Sequence, residues 1–212
     1  MCSGKKGLDY LERMRSSASR MQKLIEDLLS YSRVVSDGKA FASSDLNRIL
    51  AHVLDDLEMR VQREGGKVTV SELPVIEGDH TQMRQLLQNL IGNALKFHPD
   101  NRAPIVNINA EVLDAADASG EMSKRIAISV EDNGIGFEEQ YADKIFAPFQ
   151  RLHGRGEYEG TGIGLAVCKK IVERHNGEIS VHSELGVGTT FRVVLPISQP
   201  ADDIAILESV SS

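Results

Sequence analysis

No apolar run in this sequence approaches the ~20 residues that a helix needs to cross a bilayer, and no signal-peptide pattern opens it. Cysteine is scarce. Cys2 and Cys168 lie far apart, the second inside a helical pattern, so a disulfide framework is excluded and a reduced, cytoplasmic setting is expected. Positive charge is in deficit too: a net charge of −7 leaves no general footprint for nucleic acid, which is not expected as a partner. Internal repeats are absent. What remains is 41% hydrophobic and 26% charged over 212 residues, enough for one ordinary α/β-sized domain with a smaller appendage.

The appendage comes first. Leu8 to Val35 contains no Gly or Pro, and Met14, Ala18, Met21, Ile25, Leu28, Ser32 and Val35 alternate spacings of four and three. This is the stripe of a bundle or coiled-coil helix, and it implies a partner helix. Residues 37–44 read as a linker, and Asp45 as the N-cap of a helix running to about Arg63. "KVTVSE" and "LPVIEGD" read as a short strand pair. Asp79 then caps a helix from Thr81 to Phe97.

"IVNINAEVL" and "RIAISVE" alternate as half-buried strands. A short helix is predicted near Glu138 to Ile145, and another from Ile163 to Arg174, ended by Asn176 and Gly177. "EISVHSE" and "TTFRVVLP" form a hairpin across "LGVG", and the chain is expected to fray from Ile197. Helices and strands come in clusters rather than strict alternation. The predicted fold class is therefore α+β: a two-layer α/β sandwich with a mixed, mostly antiparallel sheet, helices on one face, and one long bundle helix in front.

"QNLIGNALKF" poses the chemical question. At helical spacing Gln82, Gln85, Asn89, Asn93 and Lys96 share one face, with leucines and isoleucine opposite. One reading is a solvated amide face on an ordinary amphipathic helix. The other makes asparagine oxygens hard ligands for Mg²⁺ and Lys96 a phosphate contact. Two glycine segments bear on the choice. "VEDNGIGF" places Asp132 before Gly134 and Gly136, but no strand follows at hairpin distance. Close approach to a flat ligand is then one reason for the glycines, with Asp132 accepting from an exocyclic amine. "EGTGIGLAVCKK" runs Gly160, Gly162 and Gly164 straight into a helix, whose free N–H groups suit phosphate. The Gly-x4-Gly-Lys-Ser/Thr phosphate loop is absent, as are the His-Arg-Asp and Asp-Phe-Gly signatures of protein kinases.

The order of these boxes, an Asn helix, Asp-x-Gly-x-Gly, Gly-x-Gly-x-Gly and a C-terminal hairpin, resembles the nucleotide-binding fold shared by sensor histidine kinases, type II topoisomerases and certain chaperone ATPases. "IFAPFQRL" resembles the phenylalanine box of the histidine kinases, and "LDYLERMRSSASRMQKLIEDLLSYSRV" the second helix of their dimerisation hairpin. The resemblance implies ATP and Mg²⁺ as ligands. Asn93 would hold the metal, with Asn89 supporting it and Lys96 touching phosphate, and Asn93 and Lys96 would be the catalytic pair. Asp132 would read the adenine amine, and Gly134 and Gly136 would admit the base. Gly160, Gly162 and Gly164, with the N–H groups of Ile163 and Leu165, would shape the phosphate end. Thr189 would complete the adenine contact. Phe146 and Phe149 would anchor the lid, while Arg151 and Arg155 read as solvated lid charges or phosphate contacts.

The same resemblance implies a division into residues 1–36 (second hairpin helix), 37–44 (linker), 45–197 (ATP-binding domain) and 198–212 (tail). Expected partners are the other hairpin helix, a response-regulator receiver domain and a second copy of the chain. The acceptor histidine of that family is followed by Asp or Glu on the first hairpin helix. None of the six histidines here has an acidic residue after it, and none lies in the N-terminal helix. His98 and His175 read as capping or surface residues. The expectation is half a hairpin with a whole ATP-binding domain, unable to label itself. An ATP-driven clamp and a serine-directed kinase on the same fold remain as alternatives.

Overall fold

The computed structural model describes residues 3–36, 39–116, 122–152, 158 and 160–199. Helix α1 spans Ser3–Ser36. Most of its apolar stripe lies bare: Met14, Met21, Ile25 and Leu28 are all more than half exposed. Its last turns are not bare. Val34 is buried, and Tyr31 packs on the core of the following body.

Strand β1 (Ala42–Asp45) lies where a linker was expected, and it pairs antiparallel with β3 (Val75–Gly78). Asp45 caps helix α2 (Leu46–Arg63), its carboxylate accepting from the N–H groups of Asn47 and Arg48. Strand β2 (Lys67–Val70) does not pair with β3. It pairs in parallel with β4 (Ile105–Ala116), which needs a long crossover, and helix α3 (His80–Ala94) lies in that connection. A sequence pattern reports which residues alternate but not which strand lies alongside, so the expected β2–β3 pair was the nearest rather than the correct one.

Strand β5 (Met122–Asp132) follows β4 antiparallel, and the strands β6 (Glu178–Glu184) and β7 (Gly188–Pro196) form the expected hairpin. The five-stranded order is β2-β4-β5-β7-β6, with every pairing except β2–β4 antiparallel. Between β5 and helix α4 (Gly164–Arg174), two 3-10 turns at Glu139–Tyr141 and Lys144–Phe146 stand where one short helix was expected.

One face of the sheet (Val106, Ile108, Ile126, Ile128, Val130 and Phe191) meets α2, α3 and α4 through Leu50, Leu86, Leu90, Ile171 and their neighbours. Each buried leucine or isoleucine contributes ~1.5–3 kcal/mol relative to exposure, so this layer holds the fold. His175 belongs to it rather than to the surface. It is fully buried; its Nε2 accepts the N–H of Asp79 at 3.0 Å, while Nδ1–H donates to the carbonyl of Ile171 at 2.7 Å. Burial lowers its pKa and keeps the ring neutral, as an acceptor at Nε2 requires. The start of the segment expected to fray, residues 197–199, is held, and the rest of it lies outside the described residues. Ile197 accepts from Glu77 N–H at 2.8 Å and donates to Lys124, and Gln199 donates to the Glu77 carboxylate.

Candidate functional site

Helix α3 starts at Asp79, whose carboxylate accepts from the N–H groups of Thr81 and Gln82. Its apolar side is buried, which fixes where the amide side points. That side divides in two. Gln82 is only 6% exposed, so the solvated-face reading fails for it. Gln82 donates to the Val34 carbonyl at 3.1 Å and accepts from Arg174 at 2.9 Å, and Gln85 donates to Ser30 Oγ. Asn89, Asn93 and Lys96, further along, line a cavity of about 290 Å³.

The cavity gathers the separate motifs. Asn89, Asn93, Lys96, Asp132, Gly136, Gly160, Gly162, Ile163, Gly164, Leu165 and Thr189 all border it; Gly134 stands behind Asp132. Asn89 donates through Nδ2 to the carbonyl of Gly164 at 3.2 Å, so it braces the turn that starts α4. Beneath it the Cys168 thiol donates to the Leu86 carbonyl at 3.9 Å, and full burial pushes its pKa up to about 12. Asp132 accepts from Gly134 N–H at 2.8 Å and Thr189 N–H at 3.1 Å. Burial raises its pKa to about 6, with those bonds and Arg102 opposing the rise and Glu131 adding to it. Thr189 Oγ1 lies 2.9 Å from Ser183 Oγ, itself tied to Gly188 and Phe137.

The glycines answer first to the protein's own backbone. A Cβ on Gly134 would fall on the carbonyl of Phe97, and one on Gly136, at φ +58°, on that of Glu184. Gly162, at φ +79°, lies against the carbonyl of Gln150, where the lid returns. Phe146 is buried and meets Phe191 edge-on at 6.4 Å, as an anchor should. Phe149 is 57% exposed with a left-handed φ of 65°, and it anchors nothing in the core. Arg151, half-buried, is tied to the lid: it donates to the carbonyls of Gly160 at 2.9 Å and Tyr158 at 2.6 Å. Arg155 lies outside the described residues.

Sequence reasoning missed one wall of the cavity. Lys23, Asp27 and Ser30 of α1 border it, and Thr161 Oγ1 donates to Asp27 at 2.5 Å, with Lys23 Nζ 3.3 Å from the same carboxylate. Their spacing within the α1 helix is visible in the sequence, but only tertiary packing turns that face toward the glycine turn. Phe97 and Tyr158 were also missed. Their rings lie 5.1 Å apart.

A mixed sheet with helices on one face, and a cavity between an asparagine helix and a glycine-rich lid, define a nucleotide-binding α+β fold. The chain belongs to the histidine kinase-, DNA gyrase B- and HSP90-like ATPase family, which residues 78–199 match. Cyanobacterial phytochrome A of Nostoc sp. is 44% identical over 179 residues, covering 84% of this chain and 22% of that protein. The chain thus spans under a quarter of that relative's length. Full-length ShkA, solved in complex with AMPPNP, is similar with a TM-score of 0.72 at 27% identity, covering 91% of this chain and 39% of that one. The catalytic domain of histidine kinase ThkA gives 0.61 at 26% identity, covering 76% of this chain and 97% of that domain. Among the described residues no helix is long and apolar enough to cross a membrane.

Proposed function

We propose that this chain is the ATP-binding catalytic region of a sensor histidine kinase, in which γ-phosphate passes to a histidine of a dimerisation hairpin and then to a response-regulator aspartate. The carrying observation is the single cavity that collects the amides of α3, the Asp132 carboxylate and the glycine turn before α4. Asp132, whose Oδ1 is held by two backbone N–H groups and which borders the cavity, suits the exocyclic amine of adenine. Asn93 and Lys96 hold the phosphate end, where the free N–H groups at the start of α4 suit anionic oxygens.

The donor set fits Mg²⁺. No cluster of three acidic, histidine or cysteine side chains occurs among the described residues, and this cation is commonly held by few protein oxygens plus substrate phosphates. Asn93 would supply its amide oxygen. When bound, the ion would neutralise developing charge on the transferring phosphoryl group. Asn89 uses its amide to brace Gly164 and cannot accept a proton at neutral pH, so this position supplies no base for water. That favours transfer to another protein over a hydrolytic clamp.

In the whole protein the bare stripe of α1 covers the other hairpin helix and a second copy. Residues 1–36 are then the hairpin's second helix, and 45–197 the ATP-binding unit. The test is phosphoryl transfer. The chain should bind Mg-ATP in preference to GTP, label itself negligibly, and pass phosphate to a separately supplied dimerisation hairpin carrying its histidine. The label should be acid-labile and alkali-stable, as a phosphoramidate is. Fast ATP hydrolysis by the chain alone, or an acid-stable label, would overturn the reading.

A further inference from the structure

We infer that Tyr158 is the residue by which the lid grips the nucleoside part of the bound nucleotide and sets how long that nucleotide stays. The inference rests on the proposed adenine position at Asp132. Tyr158 is half-buried and borders the cavity. Its ring packs on Phe97 at 5.1 Å and a tilt of 56°, and its hydroxyl donates to the main-chain carbonyl of His98 at 3.1 Å. A backbone acceptor does not depend on any neighbouring rotamer, so this bond locates the ring closely.

The partners of that ring are fixed on both sides. Phe97 itself borders the cavity, next to Lys96 and just past the end of α3; its carbonyl accepts from Ile135 N–H at 2.9 Å, and Gly134 fits beneath it. The base-side loop, the end of α3 and the lid therefore meet around Phe97. On the lid side, one guanidinium, that of Arg151, donates to the carbonyls of both Tyr158 and Gly160. The position of Tyr158 is thereby tied to that of the first glycine of the turn. Its side chain brings an aromatic face and no charge, and its hydroxyl is committed to the His98 carbonyl, so what it offers a ligand is apolar cover for base or sugar.

The sequence helps the experiment. It contains no tryptophan, so Tyr158→Trp supplies a single fluorophore whose signal should change on nucleotide binding. The decisive measurement uses the full chain preloaded with ADP or ATP and chased with excess trinitrophenyl-ATP in a stopped-flow. Tyr158→Ala should raise both dissociation rates by the same factor, about tenfold, with association rates within about twofold. Tyr158→Phe keeps the ring and should raise them by only about threefold.

Unchanged dissociation in Tyr158→Ala, in a chain whose parent binds both nucleotides, overturns the inference alone. A loss for ATP without one for ADP overturns it too, because it would place Tyr158 at the phosphate end. A parent that binds neither nucleotide overturns the proposed function and this inference together.

Discussion

Helix α3 carries amides along one face, and its two halves use them differently. In the first half Gln82 and Gln85 spend theirs on protein: the Val34 carbonyl, Arg174 and Ser30, all on α1 or α4. In the second half Asn93 faces a cavity, with Lys96 just past the helix end beside it, and Asn89 stands at the border, bracing Gly164 from the cavity's edge. Identical chemistry thus serves docking at one end and ligand capture at the other. Which side of a helix is polar is a local property, whereas what meets that side depends on the whole fold.

The largest effect should come from the second half. Asn93→Ala removes the amide oxygen proposed for the metal, and Mg-dependent ATP affinity should fall about a hundredfold by calorimetry. Binding in the absence of Mg²⁺ should change far less. If both fall equally, Asn93 is a structural residue and the two halves of α3 are alike.

Across the cavity, Asp132→Asn preserves shape but presents an amide to the adenine amine. Loss of that charge-assisted bond should cost ~1.5–3 kcal/mol, read as a ten- to hundredfold rise in Kd. The unsubstituted protein should show the same group by titration. With Asp132 proposed to bind adenine in its ionised form and its pKa raised to about 6, affinity should hold above pH 7 and drop about tenfold by pH 5. Its contribution to stability without nucleotide runs the other way. Protonated Asp132 favours the folded state below the ordinary carboxylate range, and that contribution is lost as pH rises through about 6. A flat pH profile of binding would remove Asp132 from the adenine site.

The smallest effect on binding should come from the first half. Gln82→Ala leaves the Val34 carbonyl and Arg174 each short of a partner, which should cost ~1–2 kcal/mol in urea unfolding. Nucleotide Kd should stay within about twofold. A large loss of affinity there would mean that docking of α1 and capture of ligand are one function rather than two.

Sequence alone carried much of this. The caps at Asp45 and Asp79, the glycine turns, the β6–β7 hairpin and the residues that converge on the cavity rest on short-range patterns, and the order of the boxes supplied the fold. What it hid was non-local. The parallel partner of β2, the strand β1 inside an expected linker and the burial of His175 depend on contacts between residues dozens of positions apart. Phe149 misled because a phenylalanine carries no mark of whether it faces in or out. Tyr158 was hidden because its only visible neighbours were charges and glycines.

Strand β3 has one further consequence. Glu77 pairs with Ser43 of the incoming β1 on one side and bonds Ile197 and Gln199 of the outgoing chain on the other. Two strand spacings separate arrival from departure, about 10 Å. A body whose connections leave from one corner behaves as a side pocket on a longer thread: sequences joined before and after it would lie next to each other rather than at opposite poles. Such a body also tolerates re-ordering. A permuted chain with residue 199 spliced through a few glycines to residue 39, and new ends opened in the β4–β5 loop, should fold to the same sheet.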